Sequence, residues 1–178
     1  GGGLQLLSIE ITTPPNKTTY KSGEMFDSTG MVVTAKYFPN IENVVTGYVV
    51  TPQQMTDGIT EVTVEYSERR TKKTATQPVT VIPVLDSIAV TTLPDKTEYA
   101  YLETFDKTGM VVTAISTDGS RKTVTNYTCE TPTFTTIGTQ SITISYTEDG
   151  ITKTTAIEVN VSEKPLAIPA QSGTLTYT

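Results

Sequence analysis

Histidine and tryptophan are missing from the 178 residues, and cysteine occurs once, as Cys129. Without histidine the chain lacks the commonest general base at neutral pH and the commonest transition-metal ligand. A single cysteine excludes a disulfide within the chain, so an extracellular form would rest on packing alone. Cys129 lies in the strand-like stretch NYTCETP with no base beside it. It is expected to be a small buried filler and not a nucleophile. Cations are scarce as well: 13 Lys and Arg face 19 Asp and Glu, a formal net charge of −6. Phosphate binding needs clustered Lys and Arg, so nucleic acid is not an expected partner. Self-repulsion of like charge favours a monomer. No apolar run approaches the roughly 20 residues of a membrane helix, and no membrane partner is expected for this segment. The opening GGGLQLL has no basic region and no cleavage pattern. It reads as a linker, with any secretion signal expected outside the segment.

Helical periodicity is also missing. What the chain has instead is threonine, about one residue in five, with frequent Val and Ile. β-branched side chains are stiff at χ1 and suit a pleated surface. The phrase FDSTGMVVTA at 26–35 returns as FDKTGMVVTA at 105–114. The match extends well beyond ten residues. At a spacing of 79, Ile9 meets Ile88, Tyr20 meets Tyr99, Gly30 meets Gly109 and Tyr48 meets Tyr127. After one inserted residue the spacing becomes 80, pairing Pro52 with Pro132, Gly58 with Gly138, Tyr66 with Tyr146 and Val79 with Val159. A whole unit of about 80 residues is therefore duplicated in tandem.

Each copy breaks into six or seven short alternating runs. Asp118-Gly119 and Asp149-Gly150 mark two-residue hairpin turns. This pattern predicts an all-β fold of two antiparallel β-sandwiches. In the repeated phrase, Asp27 and Asp106 are expected to bond the backbone two residues on, and Gly30 and Gly109 to take positive φ. Met31, Val33 and Ala35 share one strand face, assigned to the core. Val32, Thr34 and Lys36 share the other, assigned to solvent.

The stretches TTPPNKTTYKSGEMFDSTGMVVTAKY and TTLPDKTEYAYLETFDKTGMVVTAISTDGSRKTVTNY resemble bacterial immunoglobulin-like domains. So does the closing SYTEDGITKTTAIEVNV, and the likeness spans about residues 7–161. The resemblance implies immunoglobulin-like sandwiches at 1–83 and 84–163. The remainder, 164–178, reads as a linker or the start of a third module. It also implies no catalytic residues. Such modules occur on bacterial surface proteins, as non-catalytic parts of extracellular enzymes, and on phage particles. The expected role is a non-catalytic spacer or adhesion module, extracellular and at the bacterial cell surface or wall. The alternatives are a carbohydrate-binding accessory module of an extracellular enzyme, or a phage decoration module.

No Asp-x-Asp-x-Asp-Gly loop and no carboxylate pair suited to glycoside hydrolysis stands out. No metal, no cofactor and no enzymatic activity are expected. A glycan or a host or matrix protein is the expected kind of partner. Sugars stack on exposed rings, and rings that recur in both copies are assigned to the core. Tyr37, Phe38, Tyr101 and Phe134 do not recur. Tyr37 and Phe38 are the ligand-binding candidates, adjacent on one strand and pointing opposite ways.

Overall fold

The computed structural model describes residues 3–167 and Gly173. The expected linker or third-module start at 164–178 therefore lies mostly outside the described residues. The chain divides into two compact units: Gly1–Val84 with Ser116–Ser120, and Leu85–Ile115 with Arg121–Thr178. Both are all-β.

The first unit contains β1 (Gln5–Thr13), β2 (Thr19–Lys21), β3 (Val32–Phe38) and β4 (Ile41–Val45). It continues with β5 (Val49–Thr51), β6 (Glu61–Glu68), β7 (Thr71–Pro78) and β8 (Thr80–Ile82). One antiparallel sheet has the order β1-β3-β4 and the other β5-β6-β7, with β2 and β8 forming a parallel pair. The second unit repeats this with β9 (Leu85–Thr92), β10 (Glu98–Ala100), β11 (Val111–Ser116) and β12 (Arg121–Val124). Its remaining strands are β13 (Thr128–Cys129), β14 (Gly138–Glu148) and β15 (Ile151–Ser162). Its sheets run β12-β11-β9 and β10-β15-β14-β13.

One difference between the units follows from one residue. Pro78 faces Glu61 across the β6–β7 ladder, where the second unit pairs Ser141 with Glu158. Proline has no N–H to donate and cannot extend a ladder. The last strand is therefore split into β7 and β8 in the first unit and runs unbroken as β15 in the second.

Each unit closes its own core. In the second, Ile88, Val112, Ala114, Ile142, Ile144 and Val159 pack with Tyr99, Phe105 and Phe134. In the first, Ile9, Val33, Ala35 and Val64 form one cluster, and Tyr20, Met55, Val62 and Val79 another. Burying each such aliphatic or aromatic side chain contributes about 1.5–3 kcal/mol. The core assignment of Met31, Val33 and Ala35 holds. Thr34 departs from its solvent assignment: it is buried, as is Thr113. Each hydroxyl meets a neighbouring threonine at 2.8 Å, Thr34 with Thr12 and Thr113 with Thr91. A paired hydroxyl meets its hydrogen-bond need without water, so the outer face tolerates burial there.

The position of the inserted residue is also corrected. Phe26 N–H donates to the Gln53 carbonyl, and Phe105 N–H to the Pro132 carbonyl. Gly23 bonds Met55 as Leu102 bonds Phe134. The spacing of 79 thus persists through Met55 and Phe134, and Pro52 is not the counterpart of Pro132. The extra residue falls just before Gly138, and Met55 fills in the first core the place Phe134 fills in the second.

Candidate functional site

The repeated phrase folds into a corner. Tyr99 Oη lies 3.1 Å from the Lys96 carbonyl and 3.2 Å from the Asp106 carbonyl, and it accepts the Asp106 N–H at 3.0 Å. Tyr20 makes the same three contacts with Lys17 and Asp27. Asp27 and Asp106 each accept a backbone N–H and a hydroxyl from the threonine two residues on. These bonds, the hydroxyl first, hold both carboxyls below the usual carboxylate range. The glycine that follows has φ of 83° at Gly30 and 85° at Gly109. A Cβ there would come within 2.3 Å of Asn16 Oδ1 or 2.2 Å of Asp95 Oδ1. The recurrent Asp, Thr and Gly of the phrase, with the tyrosine before it, thus brace the same corner in each unit.

The two candidate residues separate. Phe38 is exposed, as a stacking ring must be. Tyr37 is corrected: it is only 5% exposed and belongs to the first core. The cause is strand parity, since Met31, Val33, Ala35 and Tyr37 all point inward. The Tyr37 hydroxyl donates to Glu68 Oε2, which the Tyr66 hydroxyl also reaches. The bond to Glu68, then burial, pushes the Tyr37 phenol far above its ordinary pKa of 10.0. Glu148 in the second unit occupies the place of Glu68 and is met by Tyr146 and by the Lys122 ammonium. The Lys122 contact holds the Glu148 carboxyl below its ordinary value. Both carboxylates are engaged by neighbouring side chains of their own unit.

Of the other non-recurrent rings, Phe134 is core, tilted against Tyr99 with centroids 4.8 Å apart. Tyr101 is exposed where β10 ends, beside the last residue of β15, whose carbonyl accepts its N–H at 2.8 Å. Cys129 is half-buried against the second core, and burial raises its thiol pKa. It stands where Val50 stands in the first unit. Among the described residues no cluster of three or more Cys, Asp or Glu side chains is arranged to hold a metal ion.

Two antiparallel sheets closed around one core, tied by a tyrosine at a corner, define an immunoglobulin-like module. Residues 92–161, within the second unit, match the family model of the bacterial Ig-like domain, group 3. Among solved structures, domains 4 and 5 of the S-layer protein SbsC are 23% identical. That alignment covers 88% of this chain and 98% of that one, with a TM-score of 0.30. No curated protein matches.

Proposed function

We propose that the chain is a non-catalytic, load-bearing spacer of an extracellular bacterial protein, displayed at the cell surface. The family match over 92–161 supports the bacterial, extracellular part of this reading. The observation that carries the mechanical part is the route of the chain through each unit. In the first, β1 starts at Gln5 beside Phe38, at the end where Tyr37 bonds Glu68. The last strand leaves at Ile82, whose carbonyl accepts the Ser22 N–H at 2.9 Å. Chain entry and chain exit thus sit at opposite poles of the unit. The early strand β2 runs parallel to β8, and β10 runs parallel to β15. Tension applied through the chain shears such a pair, loading its hydrogen bonds together instead of unzipping them singly.

Single-molecule pulling on the intact chain tests this. Two abrupt unfolding events are expected, one per unit. Thr80→Pro, which removes from an exposed residue of β8 the N–H that bonds the Thr18 carbonyl, lowers the force of one event and leaves the other unchanged. Gradual extension at low force overturns the reading. A glycan array addresses the carbohydrate-binding alternative, which now has only Phe38 of its two rings. Binding abolished by Phe38→Ala would replace the spacer reading with that one.

A further inference from the structure

The two units differ systematically at one edge. In the first, Phe38, Ile41, Val44 and Val49 are exposed by 61, 39, 68 and 55%. Ladder registers place Thr34 opposite Val44 and Thr113 opposite Thr123, and Val49 opposite Glu65 as Thr128 is opposite Ser145. The equivalents of the four apolar residues are therefore Thr117, Ser120, Thr123 and Thr128. One copy of the repeat is apolar at all four positions where the other copy carries a hydroxyl. All four lie along the side of the sandwich where β4 and β5 are the outer strands of their sheets. By strand parity Phe38 and Val44 face outward from one sheet, Val49 outward from the other, and Ile41 shares the inner face with Val45.

Strand β4 bonds only β3, so its other edge offers unpaired N–H and carbonyl groups among the described residues. The equivalent edge β12 carries Arg121 and Lys122, the charged guard that discourages strand addition. Strand β4 has one charge, Glu42, already held by Lys36 at 3.7 Å. An open edge of this kind is completed by another extended strand.

We propose that the occupant is β4 of a second copy of this chain, paired antiparallel about a two-fold axis at Asn43. That register sets Ile41 against Val45 and Glu42 against Val44 of the second copy. Ile41 meets Val45 on the inner face on either side of Asn43, and no like charges lie directly opposite, the arrangement that favours cross-strand pairing. The distribution of charge permits the approach. Residues 1–84 carry seven Lys and Arg against eight Asp and Glu, whereas residues 85–178 carry six against eleven. Nearly all of the net charge of −6 is thus on the half that does not take part. A short edge gives a weak dimer: dilute chains stay monomeric, and chains crowded side by side on a surface associate.

Sedimentation velocity of the full chain from micromolar to near-millimolar concentration tests this. The wild type is expected to shift from monomer to dimer over that range. Val44→Glu, at an exposed site, sets a carboxylate directly opposite Glu42 of the second copy and weakens association at least about tenfold, while Thr123→Glu at the equivalent site leaves it unchanged. In a Cys129→Val background, oxidised Asn43→Cys forms a covalent dimer, because residues on the axis bring their Cα atoms within disulfide range. Thr123→Cys does not. Circular dichroism confirms that each variant is folded. A wild type that stays monomeric throughout overturns the proposal. So does equal crosslinking of the two cysteine variants, or a monomer that instead binds an added extended peptide at this edge.

Discussion

Leu102 occupies the place that Gly23 occupies in the first unit, and it does so in a glycine conformation. Its φ is 71° against 97° for Gly23, and each N–H donates at 2.7 Å to the equivalent carbonyl, Phe134 or Met55. The corner geometry, not the side chain, dictates this backbone. For a residue with a Cβ, the left-handed region costs roughly 1–2 kcal/mol.

Leu102→Gly is therefore expected to stabilise the second unit. Relief of the strain exceeds the roughly 0.5–1 kcal/mol that glycine's freedom in the unfolded chain removes. The leucine side chain is exposed, so little burial is lost. Urea unfolding should show one transition moved to higher denaturant by up to about 1 kcal/mol. The other should stay in place.

Tyr20→Phe and Tyr99→Phe remove the corner hydroxyl and leave the N–H of Asp27 or Asp106 without its acceptor. Each substitution should cost its own unit about 1–3 kcal/mol, the penalty for a partly buried polar group left unmet. Calorimetry that shows no change for either would remove the corner from its bracing role.

Acid should weaken both units. The pKa is lowered at Asp27 and Asp106 by threonine hydroxyls and at Asp118 by the Ser120 hydroxyl. It is lowered at Glu24 by Lys17, at Glu103 by the Ala100 N–H and then Lys96, and at Glu148 by Lys122. A lowered group binds fewer protons folded than unfolded. Its contribution is complete above the unfolded values, 3.8 for Asp and 4.5 for Glu, and fades as pH falls through the folded value. Alkali acts with the opposite sign. Tyr37 and Lys122 have raised values, Tyr37 first through Glu68 and Lys122 first through Glu148. Their contribution is full below the unfolded values of 10.0 and 10.5 and fades as pH rises through the raised ones. Thermal midpoints should be flat between about pH 6 and pH 9 and fall on both sides.

Much of this architecture was legible in the letters. Alternation gave the long strands, and Asp149-Gly150 forms the expected hairpin, with φ of 49° and 77° between Glu148 and Ile151. The strands β2 and β10 left no trace, because three residues are too few to show a period. Letter identity misled at Pro52 and Pro132, where backbone bonding pairs Gln53 with Pro132 instead. At the candidate site, the signal that places Tyr37 inside was present. The inward parity of Met31, Val33 and Ala35 continues to it, and an aromatic on that register is core before it is contact. Ile41, Val44 and Val49 escaped notice because isolated apolar residues on strands carry no signal of exposure. Only superposed ladders show that their counterparts are all threonine or serine.

The opposite-pole route of the chain has a consequence for how such genes change. A unit that receives the polypeptide at one pole and releases it at the other can be copied in frame without rerouting a single strand. Lengthening by duplication is then an insertion that neighbouring folds tolerate. Once a spare copy exists, its edges are free to drift toward different surface chemistry while its bracing tyrosine stays fixed.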